Sequence, residues 1–205
     1  MKNIKFVVLL IAIALINCER DDICSYTTST TPRLIIEFYD TDEPDDLKNV
    51  PRLTVYGEGM FTDEDGVTTE PTEASDRIVE VYDESDSIDD DVSYVFNINT
   101  NTIALPLKVD DVPVGEFITT RFILEKDTNL RLDETGGSNI DILEIRYSTD
   151  LVYVSRACGY KSTFTDLGLT RESLIDDPWI TNIVIEESIE STIENENTTH
   201  VRIYH

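Results

Sequence analysis

Histidine is almost missing from this chain of 205 residues; the only two are His200 and His205. No histidine before residue 200 is available as a general base, and no Gly-x-Ser-x-Gly stretch occurs, so a serine nucleophile set has no support. Cysteine is nearly as scarce. The three present include no Cys-x-x-Cys pair, and the inventory cannot supply four ligands to a structural zinc. Positive charge is short too, with 16 Lys and Arg against 42 Asp and Glu and a formal net charge of −26. Such a chain repels a phosphate backbone, which argues against nucleic acid as a partner. The same charge keeps a crowded surface protein soluble or makes room for cations, and solubility is the simpler consequence. Gly136-Gly137 does not form a phosphate loop, and no pair stands out among the 42 acids for glycoside hydrolysis. A non-enzyme is expected, with a carboxylate-dependent hydrolase as an alternative.

Long apolar runs are missing as well. The run from Phe6 to Ile16 is eleven residues, well below the roughly 20 that a membrane-spanning helix needs. Lys2 and Lys5 precede it, giving the pattern of an export signal. Its end, Leu15-Ile16-Asn17-Cys18, resembles a bacterial lipobox, although Asn17 is larger than the usual residue before the cysteine. Residues 1–17 are therefore expected to be a lipoprotein signal peptide, and Cys18 the acylated first residue of the mature chain. An ordinary signal cut nearby, leaving a free thiol, is the alternative. Cleavage there removes Lys2 and Lys5 and no acid, leaving 14 basic residues against 42 acidic ones. Glu19-Arg20-Asp21-Asp22 resembles the export signal of Bacteroidota lipoproteins sent to the outer face of the outer membrane. The expected location is the cell envelope, as an outer-membrane lipoprotein exposed at the surface, with the periplasmic leaflet as the alternative.

With Cys18 carrying lipid, Cys24 and Cys158 remain as an even pair in an oxidising compartment. One disulfide is the expectation, and two separate free thiols are the alternative. Residues 18–32 read as a lipid-anchored tether, polar and threonine-rich, ending at Pro32.

Residues 33–205 read as one domain built from strand after strand. The β-branched and aromatic stretches are 34–39, 52–57, 77–82, 92–98, 103–107, 117–125, 139–147, 150–156, 179–188 and 200–204. Within 92–98, alternation would put Val92, Tyr94, Phe96 and Ile98 on one face. Pro106 argues for an edge strand. Ile118, Phe122 and Leu124 fall opposite Arg121. In 139–147, Ile140 and Ile142 give way to Ile145 and Tyr147, which suggests a bulge near Leu143. Residues 150–156 are expected after a short turn, and 164–177 offer a short helix or turn capped by Thr170 or Ser173. The predicted fold is all-β: an antiparallel two-sheet β-sandwich, immunoglobulin-like in topology, with a β-barrel as runner-up.

Residues 58–91 carry the densest acid, in DEDG, TEPTEASD and DESDSIDDD, and are expected to form a solvated loop or hairpin. Asp63-Glu64-Asp65-Gly66 partly matches a calcium loop. The match fails where Phe61 replaces the first acid and Thr72 the bidentate glutamate. Asp63, Asp65, Asp89, Asp90 and Asp91 are weak calcium candidates in a calcium-responsive alternative; acids facing water are the simpler reading. The stretch SRACGYK, Ser155 to Lys161, is the most individual motif. Arg156 and Lys161 offer an anion or sugar contact, but a staple at Cys158 with a tight backbone at Gly159 explains the stretch better. Trp179 opens an apolar strand and reads as a core anchor.

The early Cys18 and Cys24, LIIEFYD, VPRLTVYG, LPL, SRACGYK, and the closing WI…NIVI and HVRIY together resemble a group of small Bacteroidota lipoproteins catalogued as a domain of unknown function. The resemblance is weakest across 62–91. It implies lipid attachment at Cys18 and an extracytoplasmic β-rich domain, and it brings no catalytic residues. The expected function is a non-enzymatic, lipid-anchored accessory module that binds an envelope protein or a glycan.

Overall fold

The computed structural model describes residues 24, 31–82, 93–109, 116–173, 177–186 and 192–205. Among these residues there are nine strands and one short helix. The strands are β1 (Leu34–Tyr39), β2 (Val50–Gly57), β3 (Ile98–Thr100), β4 (Thr102–Leu105), β5 (Ile118–Lys126), β6 (Asn139–Ser155), β7 (Gly159–Ser173), β8 (Asn182–Ile185) and β9 (Val201–Tyr204). The helix, α1 (Thr128–Leu132), follows β5. The strands form two packed sheets, in the orders β4-β1-β9-β8 and β3-β2-β5-β6-β7. The fold is an all-β sandwich and does not close into a barrel. Its strand order is not the ABED-over-CFG arrangement of an immunoglobulin constant domain. Pairing is antiparallel except between β1 and β9, where Ile36 to Tyr39 run parallel to Val201 to Tyr204.

Alternation explains the four-stranded sheet. Leu34, Ile36 and Phe38 of β1, Ile103 and Leu105 of β4, and Val201 and Ile203 of β9 point inward and are fully buried. They meet Leu53 and Val55 of β2, Phe122 and Leu124 of β5, and Leu143, Ile145 and Tyr147 of β6 in one core. Each such side chain contributes about 1.5–3 kcal/mol on burial. Trp179 packs in the same core, 6.0 Å from Phe38 between ring centroids, with its indole N–H donating to the Leu124 carbonyl. As expected, β4 is an edge strand and stops before Pro106.

The five-stranded sheet departs from the expectation because it is buried on both faces. Tyr56, Ile78, Ile123 and Ile142 form a second cluster on its outer face, covered by Phe61, Tyr94, Phe96 and Ile140. The shift in phase along 139–147 is therefore not a bulge. Pairing of β5 with β6 is unbroken from Lys126↔Asn139 to Ile118↔Tyr147; Ile140 and Ile142 serve the outer cluster, while Leu143, Ile145 and Tyr147 serve the core. No turn precedes Asp150, because β6 runs through to Ser155. The segment expected as a helix from 164 is the second half of β7, held to β6 by pairing up to Asp141↔Ser173. Val95, not Tyr94 or Phe96, enters the main core. It is fixed there between Val55 and Val79 by backbone bonds of 3.0 and 2.7 Å. Asn97 takes a positive φ of 52° just before β3, so a regular two-residue period cannot run through 92–98.

Candidate functional site

Three features stand out. The first is a ribbon. Pairing of β5 with β6 ends at Tyr147, but β6 and β7 stay paired out to Ser155↔Gly159, so Ser148 to Thr165 extend beyond the sheet as two strands. The base is fixed. Phe164 is fully buried, stacks edge-on against Tyr147 at 5.2 Å, and exchanges backbone bonds with Ile193. The tip is a tight turn in which Gly159 has φ 70° and the Cys158 N–H donates to Ser155 Oγ. Cys158 is bonded to Cys24, 134 residues earlier, and the Ser162 N–H donates to Thr31 Oγ1 nearer the base. Both described points of the N-terminal segment thus lie along the ribbon, Thr31 inward and Cys24 at the tip. Between them the ribbon exposes Leu151, Val152, Tyr153 and Tyr160, the first to 70%. Tyr153 and Tyr160 face each other as a cross-strand pair with ring centroids 5.4 Å apart. Arg156 is exposed, Lys161 reaches the Glu194 carbonyl, and no acid occurs from Leu151 to Thr165.

The second feature is a polar recess of about 410 Å³ beside β1 and β4, lined by Glu37, Tyr82, Thr100, Asn101 and Asn197 among others. Arg33 braces two of its lining residues, Glu196 and Tyr82. Its guanidinium holds both oxygens of Glu196 at 3.0 and 2.6 Å and lies over the Tyr82 ring, 5.6 Å from the centroid. The Tyr82 hydroxyl donates to the Glu196 carbonyl. Burial opposes ionisation of Glu196, but the Arg33 hydrogen bonds and charge outweigh it and hold the carboxyl below its usual range. His200 lies beneath, 1% exposed, and its Nδ1 accepts the Ile35 N–H at 2.8 Å. Burial pushes the His200 pKa down, against smaller opposing effects of the Asn195 backbone and Glu196.

A neutral His200 is thus part of the folded state. Its stabilisation is complete above the unfolded value of about 6.5 and is lost as pH falls through the lower folded value. Thermal unfolding of the native protein is expected to fall in midpoint between pH 7.5 and 5.5. In His200→Asn, whose amide oxygen can still accept from Ile35, that fall should be shallower; equal slopes would contradict the assignment.

The third feature is a cleft of about 380 Å³ between residues 57–60, 76–79, 106–108 and the start of β5. Arg121 at its edge draws in three carboxylates, Glu58 at 2.6 Å, Glu144 at 2.6 Å and Glu172 at 2.7 Å. The hydrogen bonds that Arg121 donates to Glu58, Glu172 and Glu144 raise its pKa further. The carboxylates are committed to this cation, so the cluster does not present an opposed acid and base pair.

Of the residues singled out in the sequence, Cys24 and Cys158 are joined. Cys18, Asp89, Asp90 and Asp91 lie outside the described residues. Asp63 and Asp65 are exposed on a small hairpin closed by a Thr62↔Thr68 bridge. Asp63 Oδ1 accepts the N–H groups of Asp65 and Val67 at 3.0 and 2.8 Å, so it shapes the turn. Among the described residues no group of three or more His, Cys, Asp or Glu is placed to hold a metal. Sequence reading missed the Arg121 hub and the recess, whose members come from segments far apart in the chain. The exposed ribbon did leave a signal: LVYV at 151–154 is apolar at consecutive positions next to the motif with Arg156 and Lys161.

Compared with known proteins, residues 77–205 match the model of a family of unknown function, DUF6452. The matched span includes β3 to β9 and the whole ribbon. No curated protein and no solved structure matches the chain.

Proposed function

Because the chain belongs to DUF6452, a family that carries no assigned activity, we propose from its chemistry that it is a lipid-anchored, non-enzymatic binding module of the cell envelope. One observation carries the reading: the disulfide between Cys24 and Cys158. Such bonds persist in oxidising compartments outside the cytoplasm. Of the three cysteines this leaves Cys18, directly after an apolar run with a basic head. The finer assignment, a Bacteroidota lipoprotein on the outer face of the outer membrane, rests on the lipobox-like Leu15-Ile16-Asn17-Cys18 and the acidic start Glu19-Arg20-Asp21-Asp22.

The ligand site in this reading is the polar recess. Its volume is within the range of small-ligand sites, and its amides, hydroxyls, carboxylate and aromatic ring suit the hydroxyl-rich surface of a glycan. One fractionation tests the anchor and the ligand together. The native protein should pellet with membranes, and Cys18→Ala should leave the membrane fraction while remaining exported. Native protein captured from an envelope extract should carry polysaccharide. Membrane partitioning unchanged in Cys18→Ala would refute the anchor, and capture without any polysaccharide would refute the glycan.

A further inference from the structure

We propose that the outer half of the β6–β7 ribbon is a membrane-contact surface, resting in the interfacial zone of the bilayer that holds the lipid anchor. The inference rests on acylation of Cys18 as proposed above. Cys24 stands six positions after Cys18, a reach of at most about 22 Å when fully extended. The disulfide fixes Cys24 to the ribbon tip. The tip therefore cannot leave the neighbourhood of the lipid headgroups, wherever the rest of the domain swings.

The ribbon's chemistry fits that place. Tyr153 and Tyr160 are amphipathic rings of the kind enriched at membrane–water interfaces. Leu151 and Val152 add apolar surface that no described residue covers. Arg156, exposed beside the tip, supplies positive charge toward headgroup phosphates, in a stretch without acids on a chain of net charge −26. An acidic body with one acid-free aromatic arm meets an anionic surface arm first. The occupant is the bilayer itself rather than a protein, because the tether brings the bilayer there covalently.

The test uses full-length acylated protein reconstituted into phosphatidylcholine vesicles, with and without bromine on the acyl chains near the headgroup. Tyr153→Trp and Tyr160→Trp introduce reporters at the arm. Trp179, buried in the core, gives a constant background measured in the unsubstituted protein. Leu47→Trp is the distal control. Leu47 is exposed and bridges to Tyr39, at the end of β1 away from Thr31 and the ribbon base. The brominated lipid should lower the added emission at 153 and 160, as expected for aromatic rings placed in the interface, and leave that at 47 unchanged. Mass analysis of the N-terminal peptide reads acylation independently. Acylated protein whose arm is not quenched overturns the membrane contact alone. Protein without acyl groups overturns the contact and the anchor together.

Discussion

Arg131→Ala is expected to lower the unfolding midpoint more than any other single surface-accessible change. Glu125 on β5 has no exposed side-chain area, and its carboxylate is held by Arg131 through bonds of 2.7 and 2.9 Å. The geometry arises locally. Asp127 takes a positive φ of 58°, the chain reverses into α1, and the Arg131 guanidinium, six residues after Glu125, folds back over β5. The Glu125 hydrogen bonds raise the Arg131 pKa against the opposing effect of burial. Removing the guanidinium leaves a buried carboxylate without its cation, which costs about 3–5 kcal/mol. For a domain of this size that is about 6–20 °C in midpoint. The Arg131 fork also holds the Pro71 carbonyl at 2.9 Å, so the 58–82 segment should become more open to proteolysis. Glu125→Leu combined with Arg131→Met should recover most of the loss, since a buried pair replaced by apolar groups is often neutral. By contrast, Glu172→Ala at the exposed Arg121 hub should cost less than about 1 kcal/mol. Melts of these variants settle the point; a loss in Arg131→Ala no larger than that in Glu172→Ala would show that the buried pair contributes little.

Cys24→Ser with Cys158→Ser is the other large effect. The bond closes a loop of 134 residues, for which chain-entropy arguments give an upper bound of about 5 kcal/mol, with native disulfides measured at about 2–5. Most of the gain comes from restricting the unfolded chain, so the folded core should change little. The double variant should keep its far-ultraviolet circular dichroism and unfold at lower denaturant, with a steeper slope against denaturant concentration because the unlinked unfolded chain exposes more surface. In the native protein, alkylation without reductant should find neither thiol. Native protein with both thiols open to alkylation, or a double variant as stable as the native, would refute the staple.

How far the sequence could be read depends on how many faces of a strand are buried. β1, Leu34–Tyr39, is rich in β-branched and aromatic residues, and its bounds follow from residue type alone even though Ile35 and Tyr39, opposite the core face, are buried as well. β5 and β6 carry Ile123-Leu124 and Ile142-Leu143 because both sheet faces are covered. A two-residue period cannot distinguish that from a bulge. The second half of β7, with Gly168, Thr170 and Arg171, has weak strand character by itself and is held by register against β6. The parallel pairing of β1 with β9 joins segments about 165 residues apart and leaves no local trace. The site divides in the same way. The Cys24–Cys158 bond followed from counting thiols. The recess did not, because Glu37, Asn101 and Asn197 meet only after the first and last strands have paired.

The envelope placement, the recess ligand and the membrane-facing ribbon all depend on the chemistry of one residue. Intact mass and N-terminal peptide analysis of the protein isolated from its own cells tests it most directly. The mature chain is predicted to begin at Cys18 carrying acyl groups, with Cys24 and Cys158 oxidised to one another. A chain that retains residues 1–17, with an unmodified thiol at Cys18, would contradict it.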